Sequence, residues 1–99
     1  MVSFKIILWL FKAMPNSIET IVQKMRLNPK GIKFKELAKV CNHYFGLSHQ
    51  TTGSHKIYRM PWQGDPRVNI QNSKGQAKAY QVKQVLLAID KMEKRHDPR

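Results

Sequence analysis

Acidic residues are scarce in this chain. Six Asp+Glu stand against eighteen Lys+Arg, a formal net charge of +12 over 99 residues. A surface this basic attracts polyanions. Cysteine is scarcer still. Cys41 is the only one, so no intramolecular disulfide can form, as in proteins of a reducing compartment. Long apolar runs are missing. The longest covers Ile6 to Phe11, against the roughly 18 residues that a membrane-spanning helix needs. The Lys12-Ala13-Met14-Pro15 that follows makes a poor signal-peptide cleavage site. Neither spanning nor secretion is expected, and a cytoplasmic location is. Also absent are internal repeats, low-complexity tracts, a G-x-S-x-G elbow and a glycine-rich phosphate loop.

What is present suffices for one small domain. Hydrophobic residues make up 41% of the chain, with four Phe, three Tyr and two Trp, which favours a folded unit over a disordered basic tail. At this length the core is small. The charge is uneven. Met1–Glu36 carries seven basic and two acidic residues, Leu37–Ile89 seven and one, and Asp90–Arg99 four and three. The middle of the chain is thus nearly free of acids, which predicts a continuous positive face.

Residues 1–15 read as a detached N-terminal extension that ends at Pro15, and 16–95 as the domain. From Ile18, apolar residues at Ile21, Val22 and Met25 follow helical spacing, with Asn16 and Ser17 as candidate N-caps. Asn28-Pro29-Lys30-Gly31 is a turn. Phe34, Leu37, Ala38 and Cys41, with Val40 and Tyr44 beside them, predict a second helix stopped by Gly46. Leu47–Thr52 is a weak strand, Gly53-Ser54 a tight turn and His55–Met60 a better strand. Arg67–Gln71 alternates polar and apolar residues, the mark of a half-buried strand. Asn72–Lys78 reads as a polar loop. Val82, Val85, Leu86, Ile89 and Met92 define the last helix, and 96–99 a frayed tail. The expected class is α+β: a three-stranded antiparallel sheet covered on one face by helices and open on the other.

Four histidines and Cys41 invite a zinc reading, but Cys41 and His43 are two apart on a helix and no second close pair exists. No metal site is expected. A Ser-His-acid triad fails because Ser54 and His55 are neighbours on a strand. His55 itself follows the Gly-Ser turn among Lys56, Arg59 and Arg67. Imidazole is suited to proton transfer near neutral pH, and nearby cations suit a phosphate. On composition and spacing alone, an inert surface histidine is still the stronger reading. His55, Ile57 and Arg59 share strand parity, so one of them must compromise, and the face they occupy stays open. Tyr58, Trp62 and Tyr80 lie among basic residues and either stack on bases or pack. Packing against the core is preferred for Tyr80, and Trp62 is undecided.

Several stretches together resemble the HicA family of toxins. They are Asn28-Pro29-Lys30-Gly31-Ile32-Lys33-Phe34, Leu37 and Cys41, Gly53-Ser54-His55-Lys56-Ile57-Tyr58, Pro61-Trp62, Gly64 to Gln71, and Ala77-Lys78-Ala79-Tyr80-Gln81-Val82. The resemblance runs from about Ser17 to Lys94. It implies a fold similar to a double-stranded-RNA-binding domain (dsRBD), α-β-β-β-α with an extra N-terminal helix. It implies an endoribonuclease that cleaves mRNA and is inhibited by a HicB-type antitoxin; since RNA carries its own 2′-OH nucleophile, no cofactor is expected. The family's catalytic histidine falls on His55 and its active-site turn on Gly53 and Ser54. Lys56, Arg59, Arg67, Lys74 and Lys78 are RNA-binding candidates on electrostatic grounds. The free protein is expected to be a monomer with no membrane role. Residues 1–13 match nothing in the family, and Met14 is expected to be the true start. The alternative in another class is a non-catalytic RNA-binding module on the same basic face. A third reading is membrane-surface association through residues 4–12.

Overall fold

The computed structural model describes residues 17–48, 50–52, 54–62, 64 and 66–95. The N-terminal extension, the tail at 96–99, His49, Gly53 and Asp65 lie outside the described residues. Helix α1 (Ile18–Leu27) leads through a 3-10 turn (Pro29–Gly31) to α2 (Phe34–Phe45). Strands β1 (Gln50–Thr52), β2 (His55–Arg59), β3 (Arg67–Ser73) and β4 (Gln76–Ala77) follow, then α3 (Ala79–Arg95). The class is α+β, and the sheet is antiparallel in the order β1-β2-β3-β4.

The helices start and stop where local chemistry requires. Ser17 caps α1, its Oγ accepting from the Thr20 N–H at 3.2 Å. Glu36 in the first turn of α2 accepts from the Lys33 N–H at 3.1 Å. Gly46, at φ 82°, ends α2 in the left-handed region that glycine tolerates.

The expected polar loop at Asn72–Lys78 is corrected. Strand β3 runs on to Ser73, and a two-residue turn at Lys74 and Gly75, both with positive φ (53° and 86°), returns the chain as β4. The Asn72 side chain closes this turn by accepting from the Gly75 N–H at 2.6 Å. The three expected strands thus gain a fourth, which in turn bonds the segment before α2 through Ala77 N–H to Ile32 O at 2.9 Å.

Alternation along β2 and β3 decides what the core holds. Tyr58 pairs with Val68 and Lys56 with Ile70, and these residues face the helices. Tyr58, Val68 and Ile70 pack with Leu37, Val40 and Cys41 of α2 and Val82, Val85 and Ile89 of α3. Helix α1 adds Ile21, Val22 and Met25 from the far side of α2 and α3. Tyr58 is fully buried, and its hydroxyl donates to Asn42 Oδ1 at 2.8 Å. Burial pushes the Cys41 thiol from 9.0 up to about 12. Burial, and then the nearby Cys41, push the Tyr58 phenol from 10.0 up to about 12.

Two outcomes are expected. Both raised groups ionise more easily in the unfolded chain, so the stability they lend is complete below pH 9 and is lost as pH rises through about 12. The urea midpoint, measured against pH, should fall across that window and fall less steeply in Tyr58→Phe. Lys74→Asn should stabilise the fold by about 1 kcal/mol, since asparagine tolerates the left-handed conformation better than lysine. Urea unfolding of the variant checks this.

Candidate nucleic-acid interface

The sheet face away from the helices carries the candidate site. Two bonds fix the β2–β3 hairpin at its ends: Asn72 N–H to Ser54 O at 2.8 Å and Met60 N–H to Pro66 O at 3.0 Å. Between them His55 lies opposite Gln71, Ile57 opposite Asn69 and Arg59 opposite Arg67. These six share the open face. His55 is exposed there, which answers the question the sequence left open. Ile57 is the residue that compromises: it is half-buried on the open face rather than in the core.

Helix α3 runs along β3 and closes its edge. The buried Gln81 side chain accepts, through Oε1, from the Gln71 N–H at 2.8 Å. Its amide nitrogen donates to the Tyr80 hydroxyl at 3.3 Å. A cleft of about 380 Å³ results, lined by His55, Ile57, Asn69 and Gln71 of the sheet and by Tyr80, Gln81 and Gln84 of the helix. Among the described lining residues the ionisable ones are His55 and Tyr80, and the rest are amides and one isoleucine.

The proposed cations divide. Arg59 and Arg67 share the face of His55, at the opposite end of the hairpin, about 13 Å along the strand. Lys74 occupies the β3–β4 turn, beyond the His55 end. Lys78 sits just before α3, where its carbonyl accepts from the N–H groups of Gln81 and Val82 at 3.0 and 3.1 Å. Lys56 is on the other face. It is half-buried toward the helices and close enough to Cys41 to favour the thiolate, because odd and even residues of a strand point opposite ways. Ser54 is exposed beside His55, and the Gly53 expectation lies outside the described residues.

The acids segregate from this face. Among the described residues they are Glu19, Glu36, Asp90 and Glu93, all on helices. Glu36 bonds Lys24 at 2.6 Å and Asp90 bonds Arg26 at 2.8 Å. Burial alone would raise the Glu36 carboxyl, but the Lys24 ammonium and the Lys33 N–H outweigh it and hold the group below its ordinary value.

The aromatics also divide. Tyr58 is core. Trp62 is half-buried against the core, with the Lys91 ammonium 4.7 Å from its ring centroid. Its groove, about 320 Å³ between the β2–β3 connection and α3, adjoins the His55 cleft at Gln84, which lines both. Tyr80 does not cap the core as expected: it is 57% exposed at the start of α3. Val82 and Val85, two and five residues further along, take the buried side of α3, which leaves Tyr80 facing outward. Asn69, Gln71, Gln81 and Gln84 escaped sequence reasoning. Only the alternation of Asn69 and Gln71 in phase with His55 hinted at them.

Among the described residues no three His, Cys, Asp or Glu side chains gather as a metal site. No described helix is long and apolar enough to cross a membrane. No protein-family model, curated protein or solved structure matches the chain.

Removing the Gln81 amide leaves the Gln71 N–H at a covered strand edge without its acceptor. Gln81→Leu should therefore cost about 1–3 kcal/mol, read by urea unfolding. Hydrogen exchange should quicken at Gln71 before it does at Val68.

Proposed function

We propose that this chain is a HicA-like toxin, a cytoplasmic, monomeric endoribonuclease of dsRBD-like fold that cuts mRNA. One observation carries the reading. His55 stands exposed on an open sheet face where the described residues include no acid, with Arg59 and Arg67 at one end and Lys74 in the turn beyond the other. A phosphodiester chain crossing that face meets cations on both sides of a proton-transfer group. The helices packed on the opposite face agree with a dsRBD-like arrangement.

RNA carries its own nucleophile, so the chemistry asks for no cofactor. His55, as general base, takes the proton of a 2′-OH, and that oxygen attacks the adjacent phosphorus. The new P–O bond forms as the bond to the 5′-oxygen breaks, and the imidazolium returns its proton to that oxygen. The products are a 2′,3′-cyclic phosphate and a 5′-hydroxyl. A HicB-type antitoxin would silence the protein by laying acidic groups over this face in place of phosphate.

A second reading has an observation of its own. Among the described residues lining the His55 cleft the one other ionisable group is Tyr80, so a non-catalytic RNA-binding module would use the same face without needing a proton relay.

The deciding experiment incubates purified protein with RNA in EDTA and identifies the product ends. Wild type should cut and leave cyclic phosphate and 5′-hydroxyl. His55→Ala should lose at least about 100-fold in rate and lose toxicity in cells, while keeping its fold and RNA affinity. Equal cutting by His55→Ala removes the residue from the site. Binding without cutting by wild type favours the module, and a metal requirement or 5′-phosphate ends overturn the mechanism.

A further inference from the structure

We propose that the cleft beside His55 is a nucleobase subsite that selects single-stranded RNA. One unstacked base lies on the ring of Tyr80, and the amides of Asn69 and Gln84 read its hydrogen-bonding edge. The subsite rests on the nuclease reading only for what lies next to it, a scissile phosphate at His55.

The chemistry of the lining argues for a base. In a chain of net charge +12, the cleft has no lysine or arginine among its described lining residues. A pocket built for phosphate carries cations, whereas this one carries amides. Each amide has both a donor and an acceptor, as does the edge of a base. Asn69 and Gln84 are exposed, and Ile57 supplies an apolar patch under them. The cations lie just outside, with Lys78 two residues before Tyr80, where the phosphates flanking an inserted base would run.

Tyr80 is fixed before any ligand arrives. The Gln71 N–H can only donate, so it takes the carbonyl oxygen of Gln81 and leaves the amide nitrogen to face Tyr80. The Tyr80 hydroxyl accepts that bond and keeps its own hydrogen to donate. The ring is thus tethered by a buried side chain while 57% of the residue remains exposed, an arrangement suited to stacking. A base inside an A-form duplex is stacked on both faces and paired along its edge, so it cannot enter. Loops and unpaired segments can.

The test uses the full chain in a His55→Ala background, which removes cutting from the measurement. Binding of a dye-labelled single-stranded oligoribonucleotide is read by fluorescence anisotropy and compared with the same strand annealed to its complement. The single strand should bind more tightly. Tyr80→Ala should weaken it roughly 5- to 150-fold, and Tyr80→Phe should keep most of the affinity. Asn69→Ala and Gln84→Ala should change the ranking of oligonucleotides that differ in one base. Circular dichroism should show an unchanged fold in Tyr80→Ala, since the residue lies outside the core. Unchanged binding in Tyr80→Ala, or a duplex bound as tightly as the single strand, overturns the subsite. In the His55-competent protein, cutting with an unaltered KM in Tyr80→Ala sinks the subsite and leaves the nuclease reading standing. Tyr80-dependent binding without any cutting does the reverse.

Discussion

A shift of one residue in the pairing of β2 with β3 would place Tyr58 in water and His55 among the core side chains. Strand parity allows nothing between. The observed register has Tyr58 against Val68 on one face and His55 against Gln71 on the other. Bonds at both ends of the hairpin hold it, and the Tyr58 hydroxyl reaching Asn42 ties it to α2. Everything placed on the open face, cations and cleft alike, depends on this choice. The same parity explains why Lys56, next to His55 in sequence, lies on the opposite side of the sheet.

Charge is sorted between layers in a way the net figure conceals. The described acids belong to the helices, where Glu36 and Asp90 each hold a cation of α1. The sheet's open face holds none of them. The ion pairs Lys24–Glu36 and Arg26–Asp90 belong to the helical layer. The described lining of the cleft beside His55 is, apart from His55 and Ile57, amides and a tyrosine.

Helices were legible in the sequence because their apolar spacing is long and repeated; α1, α2 and α3 lie where Ile21, Leu37 and Val85 put them. The strand at Arg67 was legible from alternation. Its extension to Ser73 and the strand β4 were not, since Asn72–Lys78 has the composition of a loop and only the Lys74-Gly75 turn makes it a hairpin. The candidate site was half legible. His55, Arg59 and Arg67 came from one strand pair whose parity is local. The cleft depends on how α3 docks against the edge of β3, and that is a tertiary fact. Gln81 looked like a surface residue of a helix start, yet it is buried at 3% exposure because a strand edge needed its oxygen.

Helix α1 packs on α2 and α3 rather than on the sheet, and exposed ion pairs link it to both. Added salt screens such pairs. It also weakens any contact between the sheet face and a phosphate backbone. Ionic strength therefore acts on two distant layers of this molecule at once. Under the proposed function, a salt titration of RNA binding therefore also weakens the ion pairs that hold the outer helix, a conformational component that counterion release alone does not describe.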